Sequence, residues 1–291
     1  ATASNLAAGN HAVTFKKVSA WKAPKAQTVA ISNGQTTKLK KKYKSKSNIT
    51  EETFLLPGNV PLVMVWVPAG AFNMGRYTDE LGSYTTEDPQ HQVTVSQGFW
   101  VGKYEITKAQ WQAVMGTTPW VGQTYMIADS NSAAVYISWD DVQAFIAALN
   151  LHTAQTFRLP TEAQWEYACR AGTSTRFYWG DDLNYIAIGN YAWWYENAGV
   201  NINGRYAHIV GQKLPNQFGL YDTSGNAWEF CEDWYGAYSA GSATDPTGPE
   251  TGTTRVVRGG GWNSNNYCRS AYRNYTYPDT AGYETGFRIA R

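Results

Sequence analysis

The feature that most limits what this chain can fold into lies near its end. From Asn263 to Thr285 there is no Leu, Ile, Val, Met or Phe, yet the stretch holds five tyrosines (Tyr267, Tyr272, Tyr275, Tyr277, Tyr283) and four asparagines (Asn263, Asn265, Asn266, Asn274). A segment without large aliphatic side chains or Phe cannot build a core, so it must be carried on a scaffold. Tyrosine offers a large, stiff contact area with a polar tip, and Asn, Ser and Gly add adaptable hydrogen bonds. The composition is that of a binding surface; the plainer alternative is a polar loop with stray tyrosines. Arg258-Gly259-Gly260-Gly261-Trp262 precedes the stretch and Gly286-Phe287-Arg288-Ile289-Ala290-Arg291 follows it, reading as fixed strand ends. The five tyrosines are therefore expected to be at least partly exposed on one contiguous face, with Trp262, Arg273 and Phe287 as buried supports.

Charge divides the chain. Residues 1–50 carry ten lysines and no acid, which leaves 14 of the 24 basic residues against all 23 acidic ones in the remainder, a balance of 14 − 23 = −9. Such opposed halves indicate separate modules. Lys38, Lys40, Lys41, Lys42, Lys44 and Lys46 are read as a solvated face that protects a sheet edge rather than a nucleic-acid patch, because no RNA-binding or zinc motif accompanies them. No run of eighteen apolar residues is present, so no transmembrane segment is expected. The chain begins at Ala1 rather than Met, the form left when a leader is removed.

The coarse pattern follows from periodicity. Alternation through Val13, Phe15 and Val18, then Val29 and Ile31, then Leu39 and Tyr43 gives a small antiparallel β module over 1–48, with Asn33-Gly34 as a type I′ hairpin turn. Residues 49–60 read as a linker and 61–291 as the main domain, opening on a buried strand, Val63-Met64-Val65-Trp66-Val67. Thr107 with Gln110, Ser138 with Asp141 and Thr161 with Gln164 each start a helix, the second presenting Val142, Phe145, Ile146 and Leu149 on one face. Beyond Gly172 the chain is rich in Gly, Asn and Trp with little periodicity. The expected class is loop-rich α+β.

Several segments together resemble the formylglycine-generating enzyme and sulfatase-modifying factor family. They are Val67-Pro68-Ala69-Gly70-Ala71-Phe72-Asn73-Met74-Gly75, Glu87 to Val93, Tyr104-Glu105-Ile106-Thr107, Arg158 to Ala168, Phe218-Gly219-Leu220-Tyr221-Asp222, Gly225-Asn226-Ala227-Trp228-Glu229 and the stretch from Arg258 to Arg291. The resemblance implies an elaborated C-type lectin fold, which hosts both enzymes and binding proteins. Its oxidase members use two cysteines in the C-terminal segment to hold copper. Anchoring on Arg273 and Pro278 places the second at Asn265 and the first near Gly260 to Trp262, none of them cysteine. Of Cys169, Cys231 and Cys268, only Cys268 is nearby, and it reads as a buried structural thiol. No copper and no enzymatic activity are expected from this.

The sequence also resembles the variable proteins of diversity-generating retroelements, which end in the same Arg-Gly-Gly-Gly-Trp, Asn/Tyr/Ser-rich and Gly-Phe-Arg order. On that likeness the variable segment spans about 262–285, and the ligand-binding residues are Asn263, Ser264, Asn265, Asn266, Tyr267, Ser270, Tyr272, Asn274, Tyr275, Thr276, Tyr277, Asp279, Thr280, Tyr283 and Thr285. The resemblance further implies a structural Ca²⁺ held by Asp222, the carbonyls of Gly225 and Ala227, and Glu229, hard oxygen ligands suited to that ion. A second calcium position near Asn190 and residues 201–203 lacks an aligned carboxylate. His11, His91, His152 and His208 are scattered and form no metal or catalytic set. The function expected is a non-enzymatic surface protein that binds a macromolecular ligand, most simply another protein, with no nucleic-acid partner. It is expected to be a monomer, extracellular or on the outer cell surface as a lipoprotein. The alternatives are a formylglycine-type copper oxidase acting on a protein cysteine, and an invariant carbohydrate-binding or structural surface protein.

Overall fold

The computed structural model describes residues 7–13, 21–22, 26–32, 44–45, 49–199 and 204–291. The chain divides into two units, Ala1–Asn48 and Ile49–Arg291. In the first, β1 (Gly9–Val13) pairs antiparallel with β3 (Gln27–Ile31), and β2 (Trp21–Lys22) with β4 (Lys44–Ser45). The Asn33-Gly34 turn and most of the expected lysine face lie outside the described residues.

The second unit opens earlier than the sequence suggested. Residues 49–60 are not a linker, because Glu51–Leu56 forms strand β5, paired antiparallel with β6 (Val60–Val67). The cause is visible in the alternation of Glu51-Glu52-Thr53-Phe54-Leu55-Leu56: Leu56 is buried, and Phe54 packs edge-on against Phe157 at 5.2 Å. Strand β6 continues to β9 (Phe99–Gly102). Its apolar run does not place every residue inside. Trp66 is 40% exposed and meets Trp100, its cross-strand neighbour, at 5.4 Å. A second sheet contains β7 (Gly70–Met74), β8 (His91–Val95) and β11 (Ala243–Thr244) in the order β11-β8-β7. The third carries the C-terminal segment: β10 (Trp228–Trp234), β12 (Arg255–Arg258), β13 (Arg273–Thr276) and β14 (Thr285–Gly286), ordered β13-β12-β10-β14.

All three capping boxes form. Thr107, Ser138 and Thr161 accept from the backbone N–H three residues on, opening α1 (Lys108–Met115), α2 (Trp139–Thr153) and α3 (Glu162–Arg170). Each box satisfies two backbone donors that a helix start otherwise leaves unpaired. Gly116 ends α1 with φ +69°, a conformation glycine adopts without Cβ strain. Helices α1 and α2 close on the C-terminus through aromatic packing. Trp111 stacks on Phe145 at 5.3 Å, and Phe287 meets both rings edge-on. The final residues are locked by main-chain bonds: Gly102 N to Ile289 O at 2.8 Å, Ala290 N to Arg158 O at 2.7 Å, and reciprocal bonds between Trp100 and Arg291. The C-terminal end of the tyrosine-rich segment is thereby fixed to the core, and the pairing of β12 with β10 holds the other end.

Candidate ligand-binding surface

The expectation that residues 263–285 stay out of the core holds only in part. Cys268, Arg269, Ser270 and Ala271 are all fully buried, so the segment dips into the protein between its exposed stretches. What draws it down is a layer of arginine–carboxylate pairs. Arg269 enters between Glu80 and Glu87, bonding Glu80 at 2.6 Å and Glu87 at 2.8 Å. Arg273 makes a two-point contact with Glu162 at 2.8 and 2.6 Å. Arg258 pairs with Glu166 and also donates to the carbonyls of Ser270, Ala271 and Tyr272. Planar guanidinium groups match carboxylates and carbonyls in this paired manner, which fixes the orientation of the backbone as well as neutralising charge.

With the arginines directed inward, tyrosines fall outward. Tyr275 is 52% exposed, Tyr277 60% and Tyr283 39%, whereas Tyr267 and Tyr272 are half-buried. Trp262, Arg273 and Phe287 are buried beneath them. The rings do not join in one stack. Tyr267 and Tyr272 stack at 4.5 Å beside Trp228 and Tyr84; Tyr283 packs with Tyr125 and Trp262; Tyr275 packs on Tyr235. Tyr84, Tyr125 and Tyr235 thus belong to the surface although sequence reading missed them. They come from distant loops, and only folding brings them to the segment.

Two of the sequence-assigned contact residues point the wrong way. Ser264 is buried and its hydroxyl accepts from Gly261 N at 2.9 Å, bracing the entry turn. Ser270 is fully buried, and its amide donates to Arg176 O. Neither is available to a ligand. The others, Asn263, Asn265, Asn266, Asn274, Thr276, Asp279, Thr280 and Thr285, are half-buried or exposed. Glu284, at the edge of the Trp228 and Tyr283 groups, has its carboxyl pushed up to about 7 by burial.

The cysteines are all unpaired and buried. Burial raises the Cys268 thiol to about 12, so it is protonated at neutral pH and is a poor nucleophile or metal ligand in this state.

The two carboxylates expected to hold calcium have different protein partners. Glu229 accepts from Arg288 at 2.5 and 2.6 Å and from the Trp165 indole at 2.7 Å, which occupies both oxygens. The Ala227 amide is held by Glu105 at 2.8 Å. Asp222 accepts from Gly211 N at 2.7 Å through one oxygen and keeps the other buried and unpartnered. Burial pushes its carboxyl up to about 6, and the buried Glu105 is raised as well, first by burial and then by Asp222 and Glu229. Arg288 is the ion-pair partner of Glu229, and among the described residues no three His, Cys, Asp or Glu side chains converge on a metal position. Residues 201–203 of the second expected position lie outside the described residues.

Three small sheets around a loop-rich, tryptophan-filled interior, with the tyrosine-rich segment carried between β12 and β14 of one sheet, define an elaborated C-type-lectin-like domain. Residues 57–291 match the Sulfatase-modifying factor enzyme 1-like domain, and the chain belongs to that family. A formylglycine-generating enzyme from Thermomonospora curvata is 29% identical over 80% of this chain and 95% of its own length. Another, from Streptomyces coelicolor, is 36% identical over 55% of this chain and 52% of its own. Among solved structures, Treponema denticola variable protein 1 superposes with a TM-score of 0.72 at 27% identity, covering 82% of this chain and 98% of that one. The likeness to variable proteins read from the sequence is thus matched in three dimensions. The expectation that the chain is not an enzyme is overturned by the relatives, which share most of its length and are named for a catalytic activity.

Among the described residues no helix is long and apolar enough to cross a membrane.

Proposed function

We propose that the tyrosine-bearing face is a diversified binding site for a macromolecular ligand, most simply a protein, and that the chain serves as a retroelement variable protein at the cell surface or outside the cell. The observation that carries this reading is the division of labour within one segment: Arg269 and Arg273 pin the backbone from below, while Tyr275, Tyr277 and Tyr283 project from it. A surface so anchored tolerates changes in its outward side chains, because the energy that holds its conformation resides in other residues. Exposed aromatic anchors concentrate binding energy in a few positions, as macromolecular interfaces do. Sequencing the encoding locus across a host population tests the reading. Substitutions confined to codons of the outward residues, beside a near-copy of the segment, are the expected result; a uniform segment overturns it.

The relatives favour a second reading, an enzyme of the formylglycine-generating type whose aromatic face holds the peptide to be modified. Incubation with a cysteine-containing sulfatase-motif peptide tests it, and formation of the aldehyde above a no-protein control is the supporting outcome.

A further inference from the structure

A cavity of about 380 Å³ opens between the start of α3, the end of β10 and the loop 236–249. That volume falls within the roughly 300–1,000 Å³ of small-molecule sites. Its rim is exposed chain, residues 237, 239–242 and 247–249, so the cavity is open to solvent.

The floor is charged, and most of its groups are already matched. Arg273 places Nε and Nη2 on Glu162, and its Nη1 donates to the Gly236 carbonyl at 2.7 Å. The Tyr238 hydroxyl donates to Glu162 at 3.0 Å. Asp233, which lines the same cavity and is 4% exposed, has no such partner. Its Oδ2 accepts from the Glu162 main-chain N–H at 2.8 Å, but among the described residues no cation lies within salt-bridge distance of it and no side chain donates to Oδ1. Burial, and then the neighbouring Glu162 carboxylate, push the Asp233 carboxyl up to about 7. A buried carboxylate without a counter-ion holds its charge at a cost.

A second acceptor lines the cavity. His91 Nδ1 lies 2.9 Å from the Pro89 carbonyl oxygen, which can only accept, so Nδ1 carries the proton and Nε2 of the neutral ring is left as an acceptor. The ring is held edge-on to Tyr238 at 5.0 Å. Met74 and Ala163, both buried, add an apolar wall.

We propose that this cavity binds a small organic ammonium compound, its N–H groups on Asp233 Oδ1 with His91 Nε2 as a further acceptor, and its carbon chain against Met74 and Ala163. An ammonium group supplies the positive charge that Asp233 lacks and three donors for vacant acceptors. Among the described residues no three His, Cys, Asp or Glu side chains converge here, so a metal ion would find too few ligands. The site does not depend on what the tyrosine-bearing face binds.

The test uses the full chain and titration calorimetry at pH 8, where Asp233 is ionised, with butylammonium as probe and butyrate as its anionic counterpart of similar size. Saturable binding of butylammonium and none of butyrate is the expected result. Asp233→Asn keeps an acceptor for the Glu162 N–H and removes the charge, and it should weaken binding at least about tenfold. His91→Phe keeps the ring against Tyr238 and removes the acceptor, and it should weaken binding about three- to tenfold. Near-UV circular dichroism establishes that each variant is folded, and if Asp233→Asn is not, His91→Phe decides. A parent that does not bind butylammonium, a parent that binds butyrate equally well, or variants that bind as the parent does overturns the site. Tetramethylammonium, a cation without N–H groups, is the last arm. If it binds as tightly as butylammonium, aromatic rings rather than these acceptors hold the cation, and the assignment to Asp233 and His91 is wrong.

Discussion

Two layers hold the C-terminal segment, and they differ in kind. At its end, Phe287 lies in an apolar seam with Trp111 and Phe145, where shape and buried area do the holding. In its middle, Arg258, Arg269 and Arg273 reach down to Glu166, Glu80, Glu87 and Glu162, where charge and direction do it. The seam joins the segment to the core without specifying the path of the backbone across the surface. Ion pairs specify that path, because a guanidinium bound at two points admits few orientations. Their net contribution to stability is modest, since desolvating both partners offsets much of the attraction, but losing one partner strands the other. On the proposed reading as a binding face, this arrangement fixes the backbone by groups that point away from the exposed tyrosines.

The comparison breaks most readily at the apolar seam. Phe287→Ala is expected to cost about 3–5 kcal/mol, and Trp262→Ala, beneath the Tyr125 and Tyr283 rings, a similar amount. Chemical denaturation at low and high salt should give the same loss at both, because no charge is involved. Arg269→Ala should follow closely, at about 3–5 kcal/mol, because Glu80 and Glu87 are left buried without their cation. Here the loss should shrink as pH falls and those carboxylates take up protons. A loss that does not change with pH would mean that Arg269 matters for packing alone.

A smaller effect with the opposite sign is expected at Asp222. Its carboxyl is raised to about 6 in the folded protein, above the ordinary value of 3.8. The folded state therefore holds the proton more tightly than the unfolded state, and the associated stability is present at pH 4 and lost as pH rises through 6. Asp222→Asn keeps an acceptor for Gly211 N–H and removes the charge. It should raise stability at pH 7 by about 1 kcal/mol and flatten the profile between pH 4 and 7. Should Asp222→Asn instead destabilise the protein, and a chelator lower the Tm of the parent, a calcium ion occupies the position. The smallest effect belongs to the surface. Replacing Tyr275, Tyr277 and Tyr283 together with Ser should move Tm by only a few degrees, since exposed substitutions typically change stability by less than about 0.5 kcal/mol each. A collapse of Tm in this triple variant would show that the rings are structural.

The elements legible in the sequence were those specified by neighbours in the chain. Three capping boxes fixed three helix starts, and the absence of Leu, Ile, Val, Met and Phe from 263 to 285 marked the exposed tyrosines, because both signals depend on residues a few positions apart. The linker expected at 49–60 was a strand for the complementary reason: Glu51–Leu56 looks polar alone and becomes a strand by pairing with β6. Ser264 and Ser270 were indistinguishable by composition from the asparagines around them, and only the packed structure turned them inward.

Charge shows the same boundary most sharply. The sequence supplied the arginines and carboxylates, and family likeness grouped Asp222 with Glu229 as ligands for an ion. Tertiary structure decided the partners. Glu229 went to Arg288, 59 residues away, Arg269 went to Glu80 and Glu87 across more than 180 residues, and Arg176 was left without an acid. Coulombic pairing acts through space, so which charge meets which is settled only when the chain has folded.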